Sequence, residues 1–140
     1  MFLWKHLNIS YVFNFHMMNN NILKISHKEG LNENEIYEAY RIFFGTLVSE
    51  SRLKIINILR SGKKNVSELM NELKIEQTAI SHDLARLRKC GFVNVVINGK
   101  YRYYELNRET IRPLMDLIDS HMGNYCMHIL HDVGGHKHEK

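Results

Sequence analysis

Two constellations in this 140-residue chain have side chains suited to chemistry. In the first, Thr78, Ser81, His82, Ala85 and Lys89 fall on one side of a helix at about 100° per residue. Gln77 opens that helix, Arg86 and Arg88 flank the polar side, and Ile80, Leu84 and Leu87 fall opposite. A helix kept polar only for solubility usually mixes Glu with Lys. This one carries small hydroxyls, an amide, an imidazole and cations, with Asp83 as its only acid. Gln suits a two-point contact with adenine, and Ser or Thr can serve either a base edge or a phosphate. The second constellation is Cys126-x-His128-x-x-His131-Asp132, followed by His136 and His138. With His121 nearby, its thiolate and imidazole donors suit zinc, nickel, cobalt or copper. His128 and His131 are one turn apart. Cys126 lies about 160° from His128 on a continuous helix, so the three converge only if the helix breaks near Gly123 or a second copy supplies ligands. The plain alternative is a solvated His-rich tail.

The elements that must position these groups follow from periodicity. Ile36, Tyr40, Phe43 and Phe44 mark the buried face of a helix beginning near Asn34, and Gly45 is expected to end it. A second helix is expected over about 50–60, with Leu53, Ile56 and Leu59 inward. Asn65 and Glu68 read as the capping box of a third, over 66–73. The fourth, over 77–89, ends at Gly91, where a left-handed stop belongs. The β-rich runs 92–97 and 100–105 flank Asn98-Gly99, a hairpin signal in which both turn residues take positive φ. Residues 109–130 read as one long helix, with Ile111, Leu114, Met115, Ile118, Met122, Tyr125 and Ile129 as a continuous apolar stripe.

Charge follows the same map. The formal net charge is +4, but residues 52–112 hold 13 Lys/Arg against 6 Asp/Glu, and the rest hold 6 against 9. A basic middle with acidic flanks favours a polyanionic partner for the middle. The fold class expected is mainly α with a small β-hairpin: a winged helix-turn-helix of about five helices. The fourth helix would enter the DNA major groove, with Lys100 and Arg102 of the hairpin beside the backbone. Residues 33–131 form that domain. Residues 132–140 are a flexible His-rich tail and 1–32 an arm, with 1–16 read as a gene-calling extension and translation starting at Met17 or Met18.

Ser51-Arg-Leu-Lys-Ile-Ile-Asn-Ile-Leu59, Val66-Ser-Glu-Leu69, Gln77-Thr-Ala-Ile-Ser-His-Asp-Leu84, Leu87-Arg-Lys-Cys-Gly-Phe-Val93 and Gly99-Lys-Tyr-Arg-Tyr-Tyr-Glu-Leu106 together resemble the ArsR/SmtB family of repressors, over roughly residues 36–122. The resemblance implies a homodimeric, cytoplasmic transcriptional repressor that leaves its operator when an effector binds. It also implies that the first and last helices build the dimer. It favours His82 as a DNA contact, completing the set Gln77, Thr78, Ser81, His82, Arg86, Lys100 and Arg102. Two metal patterns of the family do not carry over. Asn65 and Ser67 stand where one needs Cys-x-Cys. Arg108, Thr110, His121 and Asn124 stand where another needs Asp-x-His and His-x-x-Glu, so only His121 survives. The metal set left to this chain is His121, Cys126, His128 and His131.

Other classes are disfavoured. Two cysteines, Cys90 and Cys126, cannot build a disulfide framework. No run of about 18 apolar residues suggests a membrane span. No phosphate loop, metal-hydrolase helix or activated nucleophile points to an enzyme. Two alternatives remain: a winged-helix module that binds a protein, and a regulator with no metal effector.

Overall fold

The computed structural model describes residues 30–134, with side chains to Asp132. The expectations for the arm and the start at Met17 or Met18, and for His136 and His138, lie outside the described residues. The elements are α1 (Glu33–Leu47), α2 (Glu50–Leu59), α3 (Val66–Leu73), α4 (Gln77–Lys89), β1 (Val93–Asn98), β2 (Tyr101–Leu106), α5 (Ile111–His121), a π-helical segment (Met122–Cys126) and α6 (Met127–Gly134). The chain divides into two compact units between Gly45 and Thr46, inside the 33–131 stretch expected as one domain.

In the first unit, α1 starts from a reciprocal cap. The Asn32 side chain accepts from the Glu35 amide at 3.0 Å, and Glu35 accepts from the Asn32 amide at 2.8 Å. Gly45 does not end the helix. It keeps a helical backbone, at a cost of about 1 kcal/mol relative to Ala, and the helix runs on to Leu47. Of the expected buried face only Ile36 is buried. Tyr40 and Phe44 are exposed and form a ring ladder with Tyr37, at centroid spacings of 6.5 and 6.3 Å.

The second unit holds the main core: Ile55, Ile56 and Leu59 of α2, Leu69 of α3, Ile80, Leu84 and Leu87 of α4, then Phe92, Val93, Leu106, Ile111 and Met115. Each such aliphatic side chain contributes about 1.5–3 kcal/mol when fully buried. Local signals agree with the packing. Ser49 caps α2, and the Asn65/Glu68 capping box on α3 is complete. Lys74 closes α3 in the left-handed region, φ 56°, with its amide on the Met70 carbonyl. That makes a tight turn into α4. Gly91, φ 73°, ends α4, and the Phe92 amide reaches back to the Leu87 carbonyl at 2.9 Å. Ahead of α5, the Asn107 side chain accepts from the Glu109 and Thr110 amides.

Three details differ from the sequence reading. Asn98 pairs with Tyr101, so the two turn residues are Gly99 and Lys100, and only Gly99 has positive φ, at 61°. A two-residue turn needs positive φ at both places only in its I′ form; the II′ form needs it at the first alone. The wing is also pinned by a third segment, because Lys64 exchanges both backbone hydrogen bonds with Tyr104 at 3.0 and 2.8 Å. Finally, the long helix is not continuous. It passes through the π-helical segment, and its stripe divides there: Ile111 and Met115 are buried, while Met122, Tyr125 and Ile129 are exposed.

Asp83, the lone acid of α4, turns inward and is nearly buried. It accepts from Ser51 Oγ at 2.5 Å and from Arg52 Nη1 at 3.3 Å, and Arg52 Nε donates to the Thr46 carbonyl at 2.7 Å. The start of α2 is thereby locked to the middle of α4. Removing one partner of a largely buried ion pair leaves the other charge uncompensated. Asp83→Ala is therefore expected to cost about 3 kcal/mol, read as a lowered urea midpoint with unchanged slope. A midpoint equal to the parent's would contradict this account of the lock.

Candidate nucleic-acid interface

With Asp83, Ile80, Leu84 and Leu87 inward, α4 turns its other side to solvent. Gln77, Thr78, Ser81, His82, Ala85, Arg88 and Lys89 are all exposed. The N-cap Glu76 makes no side-chain cap bond, and no acid sits in the first turn. The helix start thus presents backbone donors that no side chain of the cap occupies, an arrangement that favours anions.

The antiparallel register puts Val95, Ile97, Arg102 and Tyr104 on one face of the wing, with Ile97 opposite Arg102. That face and α4 enclose an open cleft of about 440 Å³, lined by Ser81, Leu84, Ala85, Arg88, Lys89, Arg102 and Tyr104. At the wing tip, Lys100 Nζ lies 5.4 Å from the Tyr101 ring centroid. Of the seven residues assigned from sequence, Ser81 and Arg102 line the cleft. Gln77, Thr78 and His82 stand on the same exposed side of α4 and Lys100 on the turn. Arg86 is half-buried and does not line the cleft. Arg88 and Lys89 do; the sequence places Lys89 on the polar side and Arg88 beside it, but neither is in the contact set. Their spacing of seven and eight residues from Ser81 carried the signal.

Many cations off this face are ion-paired, while among the described residues those on it are not. Arg41, Arg52, Lys54, Arg60, Lys64 and Arg108 each have a carboxylate within 4.0 Å. The Glu72 carboxylate holds the Lys64 ammonium above its usual range, and Lys54 holds the Glu50 carboxyl below its own. Among the described residues, no ion pair is found for Arg88, Lys89, Lys100 or Arg102. A cation near a cleft with no carboxylate to neutralise it is free to meet phosphate.

The metal-ligand set fares differently. The helix does depart from regular geometry at Gly123, as convergence would need, yet no three His, Cys, Asp or Glu side chains gather as a metal site among the described residues. The His121 ring lies tilted against that of Tyr125 with centroids 4.9 Å apart, Cys126 is half-buried, and His128 and His131 are exposed.

Comparison with known proteins places this geometry among regulators. A family model described as "Bacterial regulatory protein, arsR family" matches residues 49–95. An uncharacterized HTH-type transcriptional regulator of Methanocaldococcus jannaschii is 30% identical over 86 residues, which cover 61% of this chain and 97% of that one. The transcriptional activator HlyU of Vibrio cholerae is 29% identical over 77 residues, 55% of this chain and 71% of HlyU. A solved homodimeric winged helix-turn-helix DNA-binding domain from Mycobacterium bovis superposes with a TM-score of 0.63. It is 20% identical and covers 78% of this chain and 94% of that one, a likeness of fold.

If the cleft takes a DNA backbone, replacing both Arg88 and Lys89 by Ala is expected to lower the slope of log affinity against log salt by about 2, one for each lost phosphate contact. Fluorescence anisotropy on a labelled duplex at several salt concentrations measures it. An unchanged slope would remove the cleft from the contact surface.

Proposed function

The chain belongs to the arsR family of bacterial regulatory proteins, and on that premise we propose that it is a cytoplasmic repressor that binds operator DNA as a homodimer. The family consists of regulators, not enzymes. In the proposed mechanism the first half of α4 lies in the major groove. Gln77 pairs with an adenine edge, Thr78, Ser81 and His82 contact bases or phosphates, and the wing holds the backbone through Lys100 and Arg102. The observation that carries this reading is the row of cations on the α4 and wing face, Arg88, Lys89, Lys100 and Arg102, that have no carboxylate partner among the described residues. A protein-binding wing would fit an acidic or apolar face better.

Dimerisation is supported by two apolar surfaces left open on one protomer. They are Tyr37, Tyr40 and Phe44 of α1, and Met122, Tyr125, Ile129 and Leu130 at the end of the chain. Apolar areas of this kind mark association sites. Repression is what the ArsR/SmtB resemblance implies. The HlyU relative is named an activator, so transcription in vitro from the chain's own promoter, with and without the protein, reads the sign directly. Release by an effector would act through two dimer geometries of unequal DNA affinity. A metal effector bound by His121, Cys126, His128 and His131 needs ligands from both protomers. Zinc or nickel titration against a Cys126→Ser, His128→Ala variant tests that version, and equal affinity for both proteins would end it.

The expected mutational signature is asymmetric. Gln77→Ala should cost roughly 1–3 kcal/mol on the preferred site and relax sequence choice there. Arg102→Ala should weaken all duplexes alike and lower the salt slope by about 1. Wild-type protein that shows no salt-dependent binding to its own promoter fragment would overturn the reading.

A further inference from the structure

We propose that Arg60, Asp116 and Asp119 are positioning residues that set the distance between the two half-sites the dimer reads. The inference rests on the dimeric, DNA-binding reading above. Arg60 follows the last turn of α2. Its Nη1 donates to Asp119 Oδ2 and its Nη2 to Asp116 Oδ1, each at 2.6 Å. Nη1 also lies 3.3 Å from Asn57 Oδ1. From the other side, Arg112 Nη1 donates to the Arg60 carbonyl at 3.1 Å. Arg112, Asp116 and Asp119 fall at i, i+4 and i+7, one polar edge of α5, and all three close on the end of α2.

The apolar side of α5 does not do this job along its whole length. Ile111 and Met115 are buried, but past them only Ile118 is even half-buried before the helix ends. The second half of α5 is therefore held to the reading unit chiefly by the Arg60 fork. The π-helical segment and α6, which carry the open apolar surface, continue from that half. The two carboxylates are about half exposed, so the pairs add little to stability. A guanidinium fork gripping two carboxylates does fix a geometry that a single point charge would not.

The leverage is large. From Met115 to the end of α6 the chain rises about 28 Å at 1.5 Å per residue, so a tilt of about 10° displaces the far end by about 5 Å. One base-pair step is about 3.4 Å, and dimeric readers of this kind depend on half-site separation. Loss of the fork would leave each reading head intact and free the angle between the two.

Selection from a randomised duplex library tests this, with the wild-type chain beside the near-isosteric Asp116→Asn, Asp119→Asn double variant. Wild type is expected to select paired half-sites at one spacing. The variant is expected to select the same half-site sequence at several spacings and to bind the wild-type spacing roughly threefold to thirtyfold more weakly. Its salt slope, dimer and melting midpoint should match wild type. If the double variant lacks a melting transition, Arg60→Lys, which keeps the charge and loses the fork, takes its place with the same expected result. A folded variant that keeps one spacing and full affinity would overturn the positioning role alone. Wild type that selects no DNA, or only single half-sites, would overturn the underlying reading and this one with it.

Discussion

The angle of α4 depends on one carboxylate that the helix turns inward. Asp83 accepts from Ser51 and Arg52 at the start of α2, and Arg52 also holds the Thr46 carbonyl. A charge in that position is unfavourable unless it is paired and hydrogen-bonded, and here it is both. Ser49 completes the arrangement by capping α2 while its hydroxyl lies 3.0 Å from that of Ser51. The packing of Ile80, Leu84 and Leu87 defines which side of α4 faces in. The polar lock fixes how far the helix is rotated, and so which side chains stand on its outer face. Hydrophobic contact is non-directional; a hydrogen-bonded carboxylate is not.

From that fixed helix the rest of the face follows. The left-handed turn at Lys74 brings α3 directly into α4, and Gly91 reverses the chain into the wing. The exchange of hydrogen bonds between Lys64 and Tyr104 ties the wing to the loop before α3. Arg88 and Lys89 at the end of α4 and Arg102 on the wing then share one cleft. Several cations elsewhere on the second unit are matched to acids, such as Lys64 with Glu72 and Arg60 with Asp116 and Asp119. Part of the positive excess in residues 52–112 thus stands on the face that α4 and the wing present, as Arg88, Lys89, Lys100 and Arg102.

Much of this was legible in the residues because the signals are local. The Asn65/Glu68 box, the Gly91 stop and the three-and-four spacing in α4 each act within a few positions, and each lies where the sequence places it. What was misread needed either backbone detail or distant partners. Asn98-Gly99 has the composition of a turn, but the register of six paired residues moves the turn to Gly99-Lys100. Gly45 looks like a stop until Ser49 is seen to cap the next helix. The π-helical segment leaves no mark on an apolar stripe that continues in register through it. Asp83 read as a stray acid on a basic helix, because its partners Ser51 and Arg52 are 32 and 31 residues away. For the site, residue types on α4 were readable, while the cleft needed the wing's register to bring Arg102 opposite Arg88 and Lys89.

The proposed function turns on one surface, formed by α4 and the wing, meeting the DNA. Amide hydrogen exchange of the intact chain with and without a promoter duplex tests it most directly. Protection gained on binding is expected to concentrate in residues 77–89 and 99–104. Protection confined to α1, α5 and α6, with α4 and the wing unchanged, would contradict it.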